Sequence, residues 1–315
     1  MSPNAYKKGA LITTITTLFL IFVGGTVRGA GAGLGCPDWP KCFGRWIPPL
    51  SAADLPPGFD ASQFNVWQTW LEYINRLIGV TVGLLIIYTA YLAFRVRKSQ
   101  PIIFYCAMSA VFLVAFQGWL GGVVVKSELE SWLITAHLII ALVIVNLLIF
   151  TIFKISDKPT IYLNPKSEVF LKFLSVLVIV VSLIQVALGT RVRELIEISV
   201  KNTPDLPRSE WLMSIGSLDY VHRSSSWAVL ILTLMVFYFV WKRNLPEPFG
   251  ILSKMLLVIV VLQILFGTAM AYLSIPPIFQ VLHMFFASLM ICAQFIFTLF
   301  AFSSSRAERV VEVNS

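Results

Sequence analysis

Charge is scarce in this chain. Asp, Glu, Lys and Arg make up 13% of its 315 residues, where a soluble globular domain carries roughly 25%. With 57% hydrophobic residues and a mean hydropathy of +0.82, it lacks the polar surface that water on all sides would require. A soluble globular protein is thereby excluded. Acids are scarcer than bases, 16 against 24, and the resulting +8 could pass for a nucleic-acid footprint. The cations instead sit in short clusters beside apolar runs, the distribution of a membrane protein, so nucleic acid is not a partner. Cysteine is limited to four residues, and no dense Cys/His spacing marks a zinc site. Cys106 and Cys292 lie inside apolar runs as small core residues, whereas Cys36 and Cys42 share a polar loop.

What the chain has is long apolar runs. A bilayer core takes about 20 apolar residues per helix. Eight stretches qualify: 9–28, 67–94, 102–123, 131–153, 169–190, 218–241, 252–273 and 278–302. Lys7/Lys8, Arg95/Arg97/Lys98, Lys154/Lys158/Lys166/Lys172, Lys242/Arg243/Lys254 and Arg306/Arg309 all fall on one side of these spans. That side, with both termini, is predicted to be cytoplasmic, as in a multi-pass protein of a bacterial inner membrane. The opposite side carries two long loops, 29–66 and 191–217. Lys7/Lys8, the apolar run and Ala30-Gly31-Ala32 also fit a cleaved signal peptide. The repeat described next argues for retention of the first span.

The second half of the chain re-uses the first. Glu72-Tyr73-Ile74-Asn75-Arg76 in span two matches Asp219-Tyr220-Val221-His222-Arg223 in span six. Gln117 precedes His137 by 20 residues, and Gln263 precedes His283 by 20. The offset between halves is 146 or 147 at all of these positions. Gly25-Thr26-Val27-Arg28 resembles Gly189-Thr190-Arg191-Val192-Arg193, and a cleaved leader has no reason to match span five. Polar residues recurring in register are hard to assign to chance. The expected fold is an all-α integral membrane protein whose eight transmembrane helices form two four-helix bundles related by a pseudo-two-fold axis along the membrane normal. The expected domains are 1–158, carrying the outer loop 29–66, and 159–315.

Only three histidines occur, and all lie within spans. Ionisable groups at membrane depth are functional by default. The predicted topology puts His137, His222 and His283 near the outer ends of spans four, six and eight. His222 and His283 share a half, and two imidazoles from facing helices are a natural axial pair for heme iron. Asp219 is placed to accept the second N–H of His222, and Arg223 to pair with a heme propionate. Packing histidines are the alternative. In the first half His137 matches His283, but Asn75 stands where His222 stands. A heme there would have one protein ligand and one open or water-bound position, which suits chemistry, while two strong ligands suit electron transfer. The other reading is a first half that has lost its site. Glu72 is equally a general base or proton relay and the i+4 partner of Arg76.

The loop after span one reads Gly33-Leu34-Gly35-Cys36-Pro37-Asp38-Trp39-Pro40-Lys41-Cys42. On the outer side a disulfide persists. Cys36 and Cys42 are read first as a staple, and second as a redox-active dithiol passing electrons to the site below.

Taken together, these words resemble the heme A synthase family. The resemblance rests on Gly25-x-Val27-Arg28, the loop Gly35-Cys36-Pro37-Asp38-Trp39-Pro40-Lys41-Cys42, Glu72-x-x-Asn75-Arg76, the three histidines and the duplicated four-helix plan. It covers nearly the whole chain. It implies oxidation of the C8 methyl of heme o to a formyl group, giving heme a for terminal oxidases. It also implies a heme b cofactor on His222 and His283, with substrate heme o in the N-terminal half at His137 and Glu72. Arg28, Arg76 and Arg223 become candidates for propionate pairing, and Cys36 and Cys42 are the family's loop cysteines. Beyond heme o and the lipid membrane, the implied partners are heme o synthase and a quinone or other electron donor. The family word is usually Glu-x-x-His-Arg, so Asn75 is a departure. The absence of cysteines from 191–217 is another. The rival functions are a di-heme b-type electron-transfer protein and a non-catalytic heme transporter or assembly factor.

Overall fold

The computed structural model describes residues 3–157 and 161–306. Lys158 and Arg309, two of the cations assigned above to the cytoplasmic side, lie outside the described residues, as does the 158/159 domain boundary.

Eight helices are long and apolar enough to cross a membrane. They are α1 (Pro3–Gly29), α2 (Val66–Val96), α3 (Pro101–Lys126), α4 (Ser131–Ile155), α5 (Pro165–Asn202), α6 (Ser217–Lys242), α7 (Phe249–Tyr272) and α8 (Pro277–Ser303). Prolines at the starts of α3, α5 and α8 sit where a missing N–H costs nothing. Asn65 opens α2 by accepting the N–H groups of Trp67 and Gln68, and Asn164 does the same for Lys166 and Ser167 at α5. The connections α3–α4 and α7–α8 each turn on two consecutive left-handed residues, Glu128–Leu129 and Ser274–Ile275.

One boundary differs from expectation. The apolar run of span five ends near 190, yet α5 continues to Asn202. Arg191, Arg193, Glu194 and Glu197 end the hydropathy signal without ending the helix. Arg191 and Glu194 pair at i,i+3 (2.5 Å), which supports an exposed helical turn. The 191–217 segment is therefore largely helical, with a further turn at Trp211–Ser214.

By their contacts the residues gather into two units. The first contains Met1–Ser156, Glu197–Trp211 and Phe266–Phe285; the second contains Asp157–Ile196, Leu212–Leu265 and Phe286–Ser315. In the first unit α1 packs on α2 and α4, and α3 on α2 and α4. Gly9 lets Leu92 of α2 approach α1, since a Cβ there would fall 2.8 Å from Leu92 Cδ1. Thr13 and Thr89 join the two helices by a buried hydroxyl pair at 2.8 Å. Thr13, Thr14 and Thr17 donate their hydroxyls to carbonyls one turn back, which satisfies them without water.

The second unit has its own apolar core. Leu171, Leu174 and Val178 of α5 meet Val229, Val236 and Val240 of α6, Phe249 and Leu256 of α7, and Met290 and Phe297 of α8. Gln294 donates to Ser182 Oγ (2.8 Å) inside this core. A short parallel pair, Tyr162–Leu163 with Ser305–Arg306, joins the segment before α5 to the segment after α8. Outward faces remain apolar, with Ile15, Leu84, Phe112 and Phe173 exposed, as side chains in lipid should be.

Phe249 is fully buried and meets Phe297 edge-on at 5.3 Å. Phe249→Ala is expected to destabilise the second unit by about 3 kcal/mol. Equilibrium unfolding in mixed detergent micelles measures this.

Candidate functional site

The 30–65 loop is docked on α2 by one cluster. Gly35 comes so close that a Cβ would fall 2.4–2.8 Å from the backbone of Gln68 and Thr69, so only glycine fits. Thr69 donates its hydroxyl to the Gly35 carbonyl (2.8 Å). Glu72, buried one turn further on, accepts the Cys36 N–H on Oε2 at 2.8 Å. Its Oε1 takes Nε (3.1 Å) and Nη2 (2.5 Å) of Arg76. Arg76 then spends Nη1 on the carbonyls of Asp38 (2.7 Å) and Lys41 (2.8 Å), and Nη2 also on Cys36 O (3.2 Å). A guanidinium has five N–H donors, and this arrangement uses them all.

Cys36 and Cys42 form a disulfide with both residues fully buried. The Asp38 carboxylate accepts the N–H groups of Phe43 (2.6 Å) and Gly44 (2.9 Å), closing the turn beyond it. Phe43 meets Phe59 and Phe64 edge-on, so the disulfide rests on a small apolar core of the loop itself. The Trp39 ring lies on Gly122 of α3, where a Cβ would fall 2.9 Å from it.

Each histidine faces a helical glycine. A Cβ on Gly121 would lie 3.7 Å from Cε1 of His137, and one on Gly267 would lie 3.6 Å from Cε1 of His283, both within the first unit. In the second unit a Cβ on Gly189 would lie 3.0 Å from Cε1 of His222 and 3.5 Å from its Nε2. Asn75 faces Gly24 in the same manner, 3.8 Å from Oδ1. Glutamines fix two of the histidines by their backbones. Gln117 Nε2 donates to His137 O (2.8 Å), and Gln185 Nε2 to His222 O (2.7 Å). Ser225 in turn donates to Gln185 Oε1 at 2.7 Å.

Two expectations change. The carboxylate of Asp219, expected on His222, accepts Nη2 of Arg223 at 2.7 Å (i,i+4), and the Gln185 amide is what lies at Nδ1 of His222 (3.2 Å). The longer, permanently charged guanidinium one turn on competes better for the acid. Arg76, expected to meet a propionate, is committed to the loop. Arg28, at the end of α1, is paired through Nη2 to both oxygens of Glu197 (2.9 and 3.0 Å), which also takes the Ser131 hydroxyl at 2.7 Å. Glu197 escaped sequence reading because its partner lies 169 residues away and its helix was expected to have ended.

These surroundings suit a heme ligand. His137 Nδ1 and Asn75 Oδ1 are buried and have no hydrogen-bond partner among the described residues. A buried polar group without a partner calls for one that the protein itself does not supply. The glycine beside each ring keeps a helix side chain out of the space next to the imidazole. Among the described residues no three His, Cys, Asp or Glu side chains gather as a metal site.

Arg76→Ala leaves Glu72 buried without its counter-charge, so it is expected to cost about 3 kcal/mol. Because the lost bonds hold the loop, the cost should appear as faster reduction of Cys36–Cys42. Thiol labelling after a short dithiothreitol pulse, scored by mass, reads this out.

Residues 8–296 match the COX15-CtaA family, described as cytochrome oxidase assembly protein. Among similar proteins is heme A synthase of Shouchella clausii, 28% identical over 75% of each chain. Heme A synthase of Wolbachia pipientis wMel is 24% identical over 88% of this chain and 87% of its own. Heme A synthase of Rickettsia felis is 25% identical over 92% of this chain and 96% of its own. With a family match across nearly all of its spans, and with the docked disulfide loop and helix-seated histidines just described, the chain belongs to the COX15-CtaA family of cytochrome oxidase assembly proteins.

Proposed function

We propose that this protein is a heme A synthase, oxidising the C8 methyl of heme o through the alcohol to a formyl group. The observation that carries the reading is His137, whose Nδ1 is buried without a partner against Gly121. The names of the similar proteins support it independently.

In this reading His137 receives the iron of heme o, which enters from the lipid. Gln117 holds the imidazole by its backbone carbonyl. Asn75 leaves the second axial position to a small ligand, which its amide can hydrogen-bond. Glu72 acts on the site by holding the loop, since Oε2 is taken by Cys36 and Oε1 by Arg76. That occupancy favours positioning over proton relay, and it favours the Cys36–Cys42 staple over a cycling dithiol. Arg28 and the half-exposed Arg223 are the remaining candidates for propionates. His222 and His283, the pair assigned by family resemblance, would hold heme b, which would supply electron transfer. Within its own unit each of these imidazoles is seated against a glycine, Gly189 or Gly267. The domains 1–158 and 159–315 correspond to a substrate half and a cofactor half.

The cations Lys7, Lys8, Arg95, Arg97, Lys154, Lys166, Lys242 and Lys254 flank the helices on one side, which supports cytoplasmic termini in a bacterial inner membrane. A heme o synthase would supply the substrate. Taking the methyl to a formyl group removes four electrons, so each of the two oxidation steps needs an oxidant such as dioxygen, and a quinol or other donor would supply the electrons that reduce its second oxygen atom to water.

Extracting hemes from a host that makes heme o but no heme a tests the activity. Wild type should yield heme a and His137→Ala none; heme o that persists unchanged beside abundant wild-type protein would refute the assignment. His222→Ala and His283→Ala should each abolish the six-coordinate low-spin b-type spectrum of the purified protein. Asn75→His should drive bound heme o toward a six-coordinate low-spin spectrum and slow conversion. An unchanged spectrum would oppose an open position at Asn75.

A further inference from the structure

Adjacent residues of α3 carry two unlike rings. Gly121 faces the imidazole of His137, and Gly122 faces the indole of Trp39. Successive helical residues point about 100° apart, so the two rings lie against neighbouring positions of the same turn of α3. Trp39 comes from the loop, and the loop needs no tryptophan to close. The disulfide, Glu72, Arg76 and Asp38 already hold it.

The indole also has capacity left over. It is 40% exposed although Cys36 and Cys42 on either side of it are fully buried. Trp70 donates its indole N–H to Pro49 O (3.3 Å) and Trp211 to Leu206 O (3.1 Å). The Trp39 N–H has no hydrogen-bond partner among the described residues. A rigidly held flat ring, partly open and carrying one unused donor, matches a ligand that is flat, apolar and rimmed with acceptors.

We infer that Trp39 is a substrate-contacting residue, whose indole packs on the tetrapyrrole received by His137. This rests on the heme o reading. The loop is then a device for presenting Trp39 to the substrate, and Gly122 is the seat that sets its depth. The contact makes no covalent change. It sets affinity and the orientation in which the ring is held.

Heme o titrated into the purified full-length protein, followed by the Soret difference spectrum, tests this directly. Trp39→Ala should weaken binding about tenfold, near 1.4 kcal/mol, with Trp39→Phe recovering most of the loss. Gly122→Ala, which pushes the indole off its seat, should weaken binding in the same direction. In turnover, Trp39→Ala should raise KM for heme o more than it lowers kcat. The low-spin b-type band and the Cys36–Cys42 disulfide should persist in all three variants. Binding by Trp39→Ala within about twofold of wild type overturns the inference, as does a loss of affinity that Trp39→Phe fails to recover. Wild type that binds heme o without producing heme a would defeat the enzymatic reading while leaving the role of Trp39 to be decided by the same titration.

Discussion

A buried ion pair organises the face that bears the loop. Glu72 and Arg76 stand one turn apart on α2, and neither is surrounded by water. Removing two charges from water is costly, and their attraction alone does not reliably offset it. Here the remaining valences are filled by backbone groups of the loop, so the pair is satisfied only when the loop is docked. The cysteine word and the Glu-x-x-x-Arg word, some thirty residues apart in the chain, are therefore two halves of one device. The disulfide shortens the loop, the carboxylate binds its start, and the guanidinium gathers three of its carbonyls.

The same economy governs the imidazoles. A helix side chain beside a histidine ring would compete with any ligand for the adjoining space. At Gly121, Gly189 and Gly267 that side chain is missing. Glutamines then anchor the backbone carbonyls of His137 and His222, and at His222 the same amide also lies 3.2 Å from the ring Nδ1. Asn75 has a comparable seat at Gly24 but a shorter, amide-bearing side chain. If the first half takes the substrate, as proposed, that one residue distinguishes it more than any change of fold does.

Much of this was legible before any coordinates. Eight spans followed from length and apolarity alone, because helices in lipid must satisfy their backbone internally. The repeated polar words led to the histidines, to Glu72 and to Arg76. The partners were not legible. Arg76 reads as a cation for a propionate until its donors are counted, and Asp219 reads as an acceptor for His222 until Arg223 is seen to claim it. Glu197 lay past the end of the apolar run, where hydropathy carries no information about helix length. The glycines were visible in the sequence, but which of them seat a ring depends on neighbours distant along the chain.

The docked loop also dictates an order of assembly. Glu72 and Arg76 enter the bilayer region on α2 with only each other for company, an i,i+4 pair that can form within a nascent helix. Their remaining partners belong to a segment that, in the proposed orientation, is exported before α2 is threaded. Oxidation of Cys36 and Cys42 can follow only on the exported side, where thiols are not held reduced. In the proposed orientation maturation would thus be vectorial: insertion would precede loop docking, and the redox chemistry of the outer compartment would seal a structure that the cytoplasm would leave open.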